Sequence, residues 1–287
     1  MTTSSRHDST ERAFIRACML DIEVMKPGNV SLQSPGHGMT AAQFAASAIA
    51  AAPVLCAVGA PVGKRILDAV AATSSAAGCN TNLGILLLCA PLASALEEGD
   101  AGSSDDHLRL AVRGSLEALT LADAGDAFRA IALASPGGLG TADDQDVHGE
   151  PTVSLRLAMT LAAERDLIAR QYSNGYADLF DIGVTTWRPA SAGGEHALPY
   201  AMQRTFLAFL SRFPDSHIVR KHGLDEAQAV SEEAGFWLMR LASHPAAAQP
   251  GLAQWDLRLK SRGINPGTSA DLAVATAFVC EALNSRS

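Results

Sequence analysis

Apolar residues recur every three to four positions through most of this chain, the spacing that places them along one face of an α-helix. Followed from end to end, the pattern predicts helices at about 9–25, 40–58, 62–77, 81–97, 104–123, 125–133, 152–171, 174–182, 195–211, 225–243, 248–260 and 268–284. No sustained alternation of apolar and polar residues bounded by turns suggests a strand. Ser9 or Thr10 ahead of Glu11, Pro151, and Thr268 with Asp271 three residues on supply helix-start signals. The expectation is an all-α protein: a flexible N-terminus over 1–8, then a single multi-helix domain over 9–287 whose polar loops converge on one cleft.

Composition narrows what such a bundle can do. The 287 residues are 48% hydrophobic, enough for a substantial core. A net charge of −8 argues against nucleic acid or an anionic membrane as a partner. Lys26, Lys64, Lys221 and Lys260 are the only lysines, so phosphate binding would lean on arginines, helix N-termini or a divalent cation. Five cysteines without a C-x-x-C pair read as buried thiols. The polar start "MTTSSRHDSTER" has no signal-peptide character, and the apolar runs at 41–58 and 84–96 are too short and proline-interrupted to cross a bilayer. A cytoplasmic protein is expected, with Ala/Leu-rich faces that allow a homodimer.

The chemistry gathers at junctions between helices. "EVMKPGN" carries Glu23, Lys26 and Asn29; His37 follows in a glycine-flanked loop; "GCNTNLG" strings Asn80, Thr81 and Asn82 before Gly84; "DSHIVRKHG" contains Lys221 and His222; and "NPGTSAD" ends on Asp271. Taken singly, each has a plain alternative as a surface pair, a cap or a charge cluster. Helix ends expose unpaired N–H groups and a positive dipole end, so several of them together suit a polyanionic ligand.

A further loop, "GLGTADDQDVHGEP", holds Asp143, Asp144, Asp146 and Glu150. Aligned as an EF-hand it lacks the bidentate glutamate, since Leu155 falls at position twelve, and "SPGGLG" has no P-loop lysine. What remains are hard oxygen ligands suited to Mg²⁺ bridged to phosphates, or a solvated connection.

In their order along the chain, "EVMKPGNV", the following His37, "GCNTNLG", "DSHIVRKHG" and "NPGTSADLAVATAFV" resemble the ATP:dephospho-coenzyme A triphosphoribosyl transferases. The family is all-α, so the resemblance implies the same fold class. It also implies transfer of the triphosphoribosyl group of ATP to a hydroxyl, the 2′-hydroxyl of 3′-dephospho-coenzyme A, with release of adenine. Where the family's loop commonly reads G-x-H-K-D-M, this chain has Gly36-His37-Gly38-Met39. Its middle is more like a branch associated with tetrahydromethanopterin-linked one-carbon metabolism. That branch leaves open a different, pterin-linked acceptor, and a non-catalytic nucleotide-binding protein is a further alternative.

The resemblance gives the candidates their roles. Glu23, His37, His222 and Asp271 become candidate catalytic groups. Lys26, Asn29, Asn80, Thr81, Asn82, Gly84 and Lys221 become nucleotide-binding candidates. Asp143, Asp144, Asp146 and Glu150 become candidate Mg²⁺ ligands, with ATP as a substrate.

Overall fold

The computed structural model describes residues 3–98, 101–135, 145–193 and 197–285, with side chains from His7 onward. Among these residues the protein is helical throughout, and the one β feature is an isolated bridge between Gly36 and Met39. The helices are α1 (Thr3–Glu23), α2 (Ala41–Leu55), α3 (Val62–Ala77), α4 (Leu83–Ala95), α5 (Asp105–Glu117), α6 (Leu121–Ala134), α7 (Leu155–Ala162), α8 (Leu167–Asn174), α9 (Thr185–Ser191), α10 (Ala197–Arg212), α11 (Ser216–His222), α12 (Leu224–Ser243), α13 (Pro245–Ser261) and α14 (Gly267–Asn284). None is long and apolar enough to cross a membrane. The described cysteines are all free thiols, and only Cys79 is not fully buried.

Helix α14 is the hub, packed by α1, α4, α10 and a π-helical segment at Leu179–Val184. From Thr268 to Leu283 every residue is buried except Asp271 and Glu281. An all-round apolar helix belongs inside a core, so its two acidic residues stand out. Glu281 pairs with Arg16 of α1 at 2.8 Å; Asp271 faces a cavity.

Several expected boundaries move, each for a local reason. Residues 3–8, expected to precede the first helix, are part of α1. The single helix expected over 104–123 breaks at 118–120, because Thr120 and Asp123 form a reciprocal capping box that starts α6. The helix expected over 152–171 divides where Asp166 accepts from Ile168 N and Ala169 N to cap α8. Pro151 lies ahead of α7 rather than in its first turn. The 174–182 helix becomes the π-helical segment, whose Gly183 lies so close to α14 that a Cβ would stand 2.3 Å from Thr276 Oγ1.

Pro91 within α4 leaves the Leu87 carbonyl without its usual donor four residues on. The buried Tyr172 hydroxyl donates to that carbonyl at 2.6 Å, and Tyr176 donates to Leu88 O at 2.8 Å. The interruption is thereby made good, and α8 is pinned to α4.

Candidate active site

A cavity of about 580 Å³ opens where the N-terminal ends of α4 and α14 meet α1, α6–α8 and α11. Three motif glycines make the meeting possible. A Cβ on Gly84 would stand 2.0 Å from Asp271 Oδ2; on Gly267, 2.8 Å from His217 Nδ1; on Gly28, 2.7 Å from Pro266 Cδ. The glycines of "KPGN", "NLG" and "NPG" are therefore surfaces against which another motif rests.

The 24–39 loop is anchored by α13 and its C-terminal extension. Gly28 N donates to Asp256 Oδ1 at 2.8 Å, and Asn29 Nδ2 to Asn265 Oδ1 at 3.0 Å. Lys260 Nζ donates to Ser34 O and to Asp256 Oδ2. On the other side of the cavity, buried Asp215 joins two helix starts. Its Oδ1 accepts from His217 N and Ile218 N of α11, and its Oδ2 accepts from Ser269 N and Ser269 Oγ of α14. The capping box expected between Thr268 and Asp271 does not form, because Asp215 from another segment supplies that cap. Asp271 is thereby left to the cavity.

Burial sets the electrostatics. It pushes the Asp271 carboxyl well above the ordinary carboxylate range; Asp21 and Asp215 add repulsion, and Arg220 offsets part of it. Asp21 is raised chiefly by burial, against the pull of Lys26, whose Nζ lies 3.0 Å from its Oδ1. His217 is pushed down to about 3 by burial and by its cationic neighbours Lys221 and Arg220, so its imidazole is neutral at physiological pH. Arg220 donates to Asp166 Oδ2 at 2.9 Å.

Asn29, Asn80, Thr81, Asn82, Gly84, Asp146, Lys221 and Asp271 all line the cavity. Other candidates do not line it. Glu23 ends α1 exposed to solvent. Lys26 is wholly buried on Asp21 and the carbonyl of Val24. His37 Nε2 bonds the Gly28 carbonyl at 2.8 Å, and His222 Nε2 the Gly263 carbonyl at 3.2 Å. Glu150 is exposed outside the cavity, and Asp143 and Asp144 lie outside the described residues. Asp146 Oδ1 accepts from the backbone and the ring of His148, both at 2.8 Å. Among the described residues, no three His, Cys, Asp or Glu side chains gather as a metal site.

The wall also contains residues absent from the candidate set: Asp21, Asp166, His217, Arg220 and Asn265. Asp21 had a readable signal, an acid set between Leu20 and Ile22 on the apolar face of the first helix.

A family model of the ATP:dephospho-CoA triphosphoribosyl transferases matches residues 7–287. The chain belongs to this family. Its fold is shared with the crystal structure of a protein provisionally assigned as a triphosphoribosyl-dephospho-CoA synthase from Archaeoglobus fulgidus (TM-score 0.62, 24% identity, 82% of this chain and 96% of that one covered). No curated protein sequence matches. The transferase's cavity also has an apolar side. Phe44, Phe128, Ile131, Met159 and Ile168 line it and suit a flat ring or an alkyl chain.

Proposed function

We infer that this cavity transfers the triphosphoribosyl group of ATP to the 2′-hydroxyl of 3′-dephospho-coenzyme A and releases adenine. The observation that carries the reading is the convergence of two helix N-termini, Arg220, Lys221 and the half-buried carboxylate of Asp271 on one cavity. Helix N-termini and cations hold a triphosphate in spite of the acidic net charge. A pterin-linked acceptor is not favoured by the family match.

The bond from the ribose anomeric carbon to adenine breaks, and a bond from that carbon to the acceptor oxygen forms. The transition state has oxocarbenium character, by analogy with glycoside cleavage. Asp271 is the base that takes the acceptor's proton; burial and the neighbouring carboxyls raise its proton affinity, which strengthens it for that task. Departing adenine takes up a proton in turn, so charge balances. Neutral His217 orients a substrate atom by hydrogen bonding, since its Nε2 has no protein partner. Arg220, Lys221 and the Asn80 amide face the phosphates.

Mg²⁺, when bound, would neutralise the triphosphate. One or two carboxylates plus phosphate oxygens and water suffice for Mg²⁺, so Asp146 at the rim would hold it, with Asp21 deeper in the wall. The test is to incubate the protein with ATP, Mg²⁺ and dephospho-coenzyme A and assay free adenine. Adenine release that depends on the acceptor is expected; none above background would overturn the reading.

A further inference from the structure

Two asparagines in the cavity wall each carry an amide atom without a partner. Asn29 is 6% exposed; its Nδ2 is taken by Asn265, and its Oδ1 bonds nothing. Asn82 is 5% exposed; its Oδ1 accepts from Thr73 Oγ1 at 3.1 Å, and its Nδ2 bonds nothing. Buried amide atoms in native proteins are almost always paired, so two unpaired ones in one wall mark a place where a ligand supplies the partner.

Their positions narrow that ligand. Asn82 lies two residues before Gly84, the residue on which the Asp271 carboxylate rests. Asn265, which holds Asn29, lies two residues before Gly267 at the start of α14. Both asparagines therefore line the cavity that Asp271 faces. One offers an acceptor and the other a donor. Phosphate oxygens only accept, so they answer Asn82 and leave the Asn29 oxygen unpaired. A vicinal diol donates with one hydroxyl and accepts with the other, which completes both amides. The ribose carbons next to the anomeric carbon carry such a diol, whereas the flat base suits the apolar wall.

We propose that Asn29 and Asn82 bind the 2′- and 3′-hydroxyls of the donor nucleotide and restrict this enzyme to ribonucleoside triphosphates. The proposal rests on the reading of the cavity as the site of triphosphoribosyl transfer and adds a specificity to it. Its catalytic side is chemical: hydrogen bonds at the 2-hydroxyl of a sugar strengthen as positive charge develops at the neighbouring carbon.

The experiment compares ATP, 2′-deoxy-ATP, 3′-deoxy-ATP and inosine triphosphate by base release with dephospho-coenzyme A and, separately, by calorimetric binding. The wild type should favour ATP over at least one deoxy analogue by about 10-fold or more, the effect of leaving a buried amide unpaired. In Asn29→Ala and Asn82→Ala, use of ATP should fall while use of the deoxy analogue barely changes, so the preference collapses. Asn29→Ser and Asn82→Ser repeat the test if the alanine variants fold poorly, because serine keeps a polar group for the neighbouring side chain but is too short to reach the ligand. Equal use and equal binding of ATP and both deoxy analogues by the wild type would overturn the proposal, as would variants that keep the full preference. A changed preference between ATP and inosine triphosphate, with ribose selectivity intact, would assign the asparagines to the base and overturn it too. If the wild type releases no base, the binding ratios still decide the asparagines, while the transferase reading itself fails; no binding of ATP at all would overturn both.

Discussion

Asp178 and Asp271 are two acids at the edge of the same core that behave in opposite ways. At Asp178 burial works to raise the carboxyl, but Arg170, Gln171 and Asn174 all donate to it and hold it below its ordinary range. At Asp271 burial acts with three other carboxyls, Asp21, Asp215 and Asp166, and only Arg220 against it, and the group is held well above that range. The first is a finished hydrogen-bond cluster that ties α8 to the π-helical segment. The second is costly to the fold and has its open side toward a cavity. A desolvated acid that the protein has left short of donors is the one with chemistry to do.

The strongest way to break that contrast is Asp271→Asn. Loss of the base should lower adenine release by about 10²–10⁴-fold, measured with saturating ATP and acceptor. The wild-type rate should rise with pH through a limb above the ordinary carboxylate range, and that limb should vanish in the variant. Stability should move the other way. A carboxyl whose folded pKa is raised favours the folded state below its unfolded value of 3.8 and loses that contribution as pH rises through the folded value. The variant should therefore melt higher than wild type near neutral pH and show no such gain below pH 3.8. A variant that melts lower at neutral pH and keeps its turnover would place Asp271 with Asp178.

Next in size is Gly84→Ala, which leaves every titratable group in place. The added Cβ meets Asp271 Oδ2 at 2.0 Å and Ile168 Cδ1 at 2.8 Å, so the carboxylate must move. Misplacing a reacting group by about 1 Å can cost about 10²-fold, and overpacking costs about 1–3 kcal/mol. Adenine release and thermal melting on the same preparation check both. Unchanged turnover would show that the carboxylate's present seat is not its working position.

How far this contrast could be read from the sequence depends on the kind of signal. Helix period and composition were enough for an all-α fold, and the Gly- and Pro-bearing junctions marked much of the cavity wall, Asn29, Asn80, Thr81, Asn82, Gly84, Lys221 and Asp271 among it. Spacing could not separate Asp271 from an ordinary cap. The missing fact was Asp215, 54 residues upstream of Ser269, whose carboxylate takes the cap. Lys26 shows the reverse failure. Beside Pro27 and Gly28 it reads as a phosphate ligand, yet Asp21 on the apolar side of α1 claims it inside the core. His37 and His222 look reactive beside glycines, but each ring holds a backbone carbonyl, His37 that of Gly28 in its own loop and His222 that of Gly263 between α13 and α14. Short-range pattern finds junctions; which side chain turns inward depends on partners far away in the chain.

On the structural side of the comparison, Asp178→Asn should leave adenine release within about 2-fold and cost about 1 kcal/mol, the effect of weakening a partly exposed, charge-assisted hydrogen-bond cluster. The pH sign is opposite to that of Asp271. A lowered folded pKa stabilises above the unfolded value of 3.8, and the contribution is lost as pH falls through the folded value. Urea unfolding at pH 7 and again near pH 3 should therefore show the wild-type advantage shrinking in acid. A constant difference would mean that packing, not charge, carries the cluster.

The smallest effect is expected where a carboxylate has neither burial nor cavity. Glu150 is exposed in the acidic loop, outside the cavity wall, whereas Asp146 of the same loop lines the wall and holds His148. Glu150→Gln should change stability by no more than about 0.5 kcal/mol, the usual range for an exposed site, and leave the Mg²⁺ dependence of adenine release unaltered. Asp146→Asn should shift that dependence toward higher Mg²⁺ if the rim carboxylate helps hold the cation. Run side by side as Mg²⁺ titrations, the two variants separate proximity to the cavity from acidity alone. A Glu150 effect equal to that of Asp146 would mean that the loop acts through its summed charge, and the contrast between Asp178 and Asp271 would then need the loop's field added to its causes.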